Sequence, residues 1–182
     1  MPMVPVPRLY LFARLPDGLG DHVAASNDVA PMLPGLRLAS GARLHSTIAV
    51  LDRPGVDQAY IVAMIGWIMA TSPPFAFRLL FDEIVTSARQ TLLKAREPLP
   101  GARDCQAHIL GTVRHYGLDL PRTACPAPHV TLGYGRRTPR GVRPINGISW
   151  LVDELVLVRS WHGRSRHEEL GRWHLPERRV AA

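Results

Sequence analysis

Cysteine is nearly absent. The 182 residues hold only Cys105 and Cys125, and neither sits in a Cys-x-x-Cys pair, which leaves no disulfide framework to organise the chain. Long hydrophobic runs are missing too. The longest, from Ala59 to Ala70, is twelve residues, short of the roughly 20 that span a bilayer. The opening Met1-Pro2-Met3-Val4-Pro5-Val6-Pro7 has neither the charged nor the continuous apolar region of a signal peptide, so the expected location is the cytoplasm, with no membrane partner. There is no His-Glu-x-x-His, no paired-Asp motif and no glycine-rich phosphate loop; neither a metal nor another cofactor is expected. Lysine occurs once, at Lys94. Arginine therefore supplies nearly all of the positive charge behind the net +7 and the pI of 10.4. Such a balance suits a polyanionic partner, and arginine suits phosphate. The hydrophobic content of 46% and mean hydropathy of −0.01 are ordinary for a globular domain.

What the chain does contain is one short pattern twice. His45-Ser46-Thr47-Ile48 and His129-Val130-Thr131-Leu132 lie 84 positions apart, one in each half of the sequence, and each reads as a β-strand. Strand side chains alternate between faces. His45, Thr47 and Ala49 are thus expected on one face, opposite Leu44, Ile48 and Val50. In the second copy His129, Thr131 and Gly133 are expected opposite Val130, Leu132 and Tyr134. Each strand then has an apolar side to bury and a side presenting an imidazole with a hydroxyl. A lone His-x-Thr is usually a half-buried strand histidine. Two matched copies argue for one site that both strands build.

The pair of motifs resembles the double signature of the 2H phosphoesterase superfamily, and within it the branch of the 2′-5′ RNA ligases or RNA 2′,3′-cyclic phosphodiesterases. The likeness runs in order along nearly the whole chain, from Arg8-Leu9-Tyr10-Leu11-Phe12-Ala13 to Leu170-Gly171-Arg172-Trp173-His174-Leu175. It implies an α+β fold of two pseudo-symmetric lobes, each an antiparallel sheet with helices outside, the sheets facing across a central cleft. Residues 1–182 would form a single domain of two interleaved lobes, a monomer.

The resemblance also implies metal-independent hydrolysis of a 2′,3′-cyclic phosphate, at an RNA 3′ end or in a small cyclic nucleotide, to a 2′-phosphate. Reversible 2′-5′ ligation would be its counterpart. His45 and His129 would be the catalytic pair, the first as proton donor and the second activating water, although the two roles can be exchanged without altering the site. Histidine titrates near pH 6.5, so both protonation forms are at hand. Thr47 and Thr131 would bind the phosphate oxygens. The chain departs from the family where Val50 and Tyr134 stand in place of a frequent aromatic residue and a frequent arginine. Tyr134 and Arg136 are candidate substrate-binding residues. Strand parity also allows Tyr134 to be a core residue, and Arg136 and Arg137 to be solvated turn residues.

The remaining elements follow from punctuation and periodicity. A strand over 8–14 precedes a helix from Asp17 to about Leu33; a second helix opens at Asp57, and a third follows Pro98-Leu99-Pro100-Gly101. In the third, Ala102, Cys105, Ile109, Val113 and Tyr116 share a face and Gly117 closes it. Phe75, Phe77, Leu79 and Phe81 alternate as a strand, with 89–95 as its hairpin partner. Residues 136–144 read as a basic loop, 151–161 and 169–175 as strands. His108 and His115 lack further metal ligands, and His22, His162, His167 and His174 read as surface or edge positions. Two other readings stand beside the enzyme: a receptor that keeps the fold and binds nucleotides or RNA without catalysis, and an arginine-rich domain that binds nucleic acid by charge alone.

Overall fold

A computed structural model describes residues 7–32, 36–39, 44–120, 126–135, 140–161 and 166–178; Cys125, Arg136, Arg137 and His162 lie outside them. The strands are β1 (Arg8–Arg14), β2 (Arg37–Leu38), β3 (His45–Val50), β4 (Phe77–Thr86), β5 (Gln90–Lys94), β6 (His129–Tyr134), β7 (Gly141–Val152), β8 (Glu154–Trp161) and β9 (Arg166–His174). The helices are α1 (Leu19–Ala25), α2 (Gln58–Thr71) and α3 (Pro100–His115). Every strand pairing is antiparallel, in the order β7-β4-β5-β6-β3-β1-β8-β9, with β2 beside β6. The expected α+β class holds. Its two lobe sheets, β7-β4-β5-β6 and β3-β1-β8-β9, meet side by side with the two motif strands innermost.

Local chemistry explains the helices. The Asp57 carboxylate accepts from the Ala59 N–H at 2.9 Å and caps α2, and Pro73-Pro74 prevents its continuation. Pro100 starts α3, whose missing donor costs nothing at a first turn. Gly117, at φ +84°, ends it. The buried stripe of α3 is Ala102, Cys105, Gln106, Ile109 and Val113; Tyr116, expected in that stripe, is exposed because the helix ends one residue earlier. α1 is far shorter than expected. It starts at Leu19 after Gly18 and stops at Ser26, whose hydroxyl accepts the Val29 N–H and turns the chain into a 3-10 turn at Ala30–Met32. Helices α2 and α3 pack their buried side chains into one core with Leu9, Leu11, Ile48, Leu79, Phe81, Val130 and Leu155. Phe12, Val156, Val158 and Tyr10 form a separate small cluster.

Two strand expectations change. Residues 141–144, expected within a loop, open the long edge strand β7, where Pro144 is tolerated as an edge residue. Residues 151–161, expected as one strand, are split at Asp153 between β7 and β8.

Candidate active site

The seam between the lobes is one ladder pair, Ser46 with Val130. Both are fully buried on the core face. Antiparallel register then sets His45 opposite Thr131 and Thr47 opposite His129 on the other face, and all four are half-buried. Directly opposed residues have Cβ atoms about 5 Å apart and diagonal ones about 7–8 Å. The two histidines are one such diagonal pair and the two threonines the other, so all four side chains stand on one face around the seam. Among the described residues neither threonine hydroxyl has a hydrogen-bond partner.

Each motif strand then breaks its alternation at the same place. The β1–β3 register slips so that Leu11 faces Ala49 and Phe12 faces Thr47, leaving Ile48 as the extra residue. The β5–β6 register slips equally, with Thr91 facing Gly133 and Leu92 facing Thr131, leaving Leu132 extra. Such bulges reverse parity beyond them. Ala49 and Gly133, expected beside the histidines, are buried in the core, and Val50 and Tyr134 turn to the site face. Tyr134 is accordingly 57% exposed and not a core tyrosine. Arg37 on β2 and Gln90 on β5 are its cross-strand neighbours. Arg136 lies outside the described residues.

A bulge leaves backbone groups unpaired, and here one of them is used. Gln106, 7% exposed on α3, donates from Nε2 to the Ile48 carbonyl at 2.9 Å and to the Pro126 carbonyl at 2.9 Å. One buried amide thus ties the first motif strand to the segment leading into the second. The sequence carried a signal for it, a polar residue on the otherwise apolar stripe of α3.

The surroundings of the two imidazoles differ. His129 Nδ1 lies 3.0 Å from the Ala127 carbonyl. A carbonyl only accepts, so Nδ1 carries the proton and, in the neutral ring, Nε2 offers its lone pair to the site. Lys94 is its cross-strand neighbour on β5. His45 instead stacks on Phe12, centroids 3.8 Å apart at 26°, and Tyr10 stacks on Phe12 in turn at 5.5 Å. Arg14, opposite His45 on β1, pairs with Glu169 at 3.1 Å. Glu169 also receives two hydrogen bonds from Arg172, which reaches Glu154 as well. Chiefly the Arg172 hydrogen bonds, and then the charges of Arg172 and Arg14, hold the Glu169 carboxyl below the usual carboxylate range. His167, expected at a surface or edge, brings its ring edge-on to His45 at 5.8 Å. It comes from β9, two strands away from β1, and no local pattern marks it.

Among the described residues no three His, Cys, Asp or Glu side chains converge as metal ligands, and no helix is long and apolar enough to cross a membrane. No protein-family model and no curated protein matches the chain. Solved structures do. E. coli LigT in its apo form superposes with a TM-score of 0.71 and 22% identity, over 95% of this chain and 99% of that one. A phosphoesterase crystal structure gives 0.70 and 22% over 94% and 100%. TT0787 of Thermus thermophilus gives 0.68 and 21% over 94% and 100%. The fold is therefore that of the 2H phosphoesterases, matched along nearly the full length of each.

Proposed function

We propose that this chain is a phosphodiesterase that opens 2′,3′-cyclic phosphates, at RNA 3′ ends or in small cyclic nucleotides, by acid–base chemistry on two imidazoles without a metal. The observation that carries the reading is the Ser46–Val130 pair, because it groups two histidines and two threonines, half-buried, on one face of one seam. Water attacks phosphorus while His129 Nε2 takes its proton; the P–O3′ bond breaks and His45 donates a proton to O3′. The product keeps a 2′-phosphate. The Ala127 carbonyl on Nδ1 fits His129 to the accepting role. Each proton transfer contributes about 10²- to 10⁴-fold. Thr47 and Thr131 donate to the non-bridging oxygens, where charge grows. With a nucleoside 5′-hydroxyl attacking phosphorus in place of water, the same step breaks P–O3′ and closes a 2′-5′ linkage, and its reversal reopens that linkage to the cyclic phosphate.

The likeness to LigT, which has been solved with phosphate, 3′-AMP, NADP+ and ATP, supports a nucleotide as ligand. Tyr134 stacks on a base, flanked by Arg37 and Gln90, and such stacking is worth about 1–3 kcal/mol. Arg136, two residues on, is assigned to the substrate phosphates. We assign residues 1–182 to one catalytic unit acting as a monomer in the cytoplasm.

The test is incubation of the purified protein, in EDTA, with 2′,3′-cyclic mononucleotides and a cyclic-phosphate-ended oligonucleotide. A 2′-phosphate product is expected. A 3′-phosphate would reverse the roles of His45 and His129, and tight binding of the nucleotides without turnover would make the chain a receptor.

A further inference from the structure

Lobe one brings three rings together. His167 sits 5.8 Å from His45 at 77° and 5.8 Å from Phe12 at 56°, while Phe12 stacks flat on His45. One face of His45 is thus covered by an apolar ring, and a second imidazole meets it at a steep angle. We propose that His167 is a positioning residue that sets the proton affinity of His45, so that the two imidazoles share protons as a coupled pair.

Other charged and titratable groups face the pair from three strands. From β1, Tyr10 and Arg14 share the face; from β8, Glu154; from β9, Glu169, Arg172 and His174. Arg14 and Arg172 are matched by Glu169 and Glu154 in one network, and His174 lies 3.9 Å from Glu154. Arg8, in the cross-strand row of His167 through Ser160, is paired with Asp52. Across the seam stand His129 and, on β5, Lys94. Two positive charges 5.8 Å apart in a water-exposed site shift one another by about half a pH unit. A proton on His167 therefore lowers the hold of His45 on its own and makes it the readier donor.

The consequence for catalysis rests on the phosphodiesterase reading; the coupling does not. The decisive measurement is an NMR titration of the His45 ring in the wild type, in His167→Phe and in His167→Gln, with His129 as internal control. We expect the broadened titration of His45 to sharpen to a simple one-site curve in both variants, its midpoint rising by up to about half a pH unit, with the His129 curve the same in all three proteins. On a cyclic mononucleotide the basic limb of kcat/KM should move up with it. An unchanged His45 midpoint in both variants overturns the proposal. So does a shift in His167→Gln alone, since Phe keeps the ring packing and removes only the charge. Coupling seen by NMR in a protein that hydrolyses no cyclic phosphate would leave this inference standing and sink the enzymatic reading instead.

Discussion

The two halves of the sheet use the same backbone device on unlike supports. β3 on β1 and β6 on β5 carry equivalent His-x-Thr rows, and each has its bulge one residue past the threonine. Yet His45 rests on Phe12 beside Arg14, a carboxylate network and a third histidine, whereas His129 has Lys94 across the strand, Leu92 opposite its threonine and a backbone carbonyl on Nδ1. Backbone symmetry delivers two imidazoles to one face of the seam. The asymmetry around them is what can give them different jobs, because acid and base need different proton affinities at one pH.

The largest effect should come from removing either ring. His45→Ala and His129→Ala are each expected to cut kcat on a cyclic-phosphate substrate by at least about 10²- to 10⁴-fold; near-normal turnover in either would break the comparison at its root. Next are the hydroxyls. Thr47→Val and Thr131→Val should each cost kcat about 10²- to 10³-fold, as loss of an oxyanion donor does, and to similar extents if the phosphate sits midway; a tenfold disparity would place it nearer one lobe.

The seam itself is tested by Gln106→Met, which keeps the volume and leaves the buried Ile48 carbonyl and the half-buried Pro126 carbonyl without their donor. We expect about 1–3 kcal/mol lost for each unsatisfied group by urea denaturation, with kcat falling as the two rings lose register. Unchanged stability and rate would mean that the single ladder pair suffices. The smallest effect concerns lobe one only. Glu169 has a lowered folded-state pKa, so its contribution to stability is present above the ordinary carboxylate pKa and lost as pH falls through the lowered one. Glu169→Gln should flatten the acid side of the stability profile slightly, with no change at neutral pH beyond the ordinary loss of surface pairs. A steeper acid side would contradict the network.

Much of this was legible in the residues. The His-x-Thr rows, the Asp57 cap, Pro100 and Gly117 each act within a few residues of themselves, and the structure finds the helices near where those signals put them. Other features left no such trace. Strict alternation misplaces Ala49, Gly133, Val50 and Tyr134, because a bulge is a property of the pairing and not of one strand. α1 falls short because Ser26-Asn27-Asp28 and Pro31 favour turns over helix. His167 is exposed on the edge strand β9, as expected, but its contact with His45 has no local signal, since only the placement of β9 beside β8 carries its ring there.

By itself the sequence determined which side chains each strand could show and which it had to bury, since alternation, capping and proline geometry are local steric facts. Tertiary structure alone decided that Ser46 pairs with Val130, that both strands slip by one residue, that Gln106 reaches the Ile48 and Pro126 carbonyls, and that His167 reaches His45. Those outcomes depend on how strands distant in sequence divide a limited set of hydrogen bonds and buried surface among themselves, and no short window of residues encodes that division.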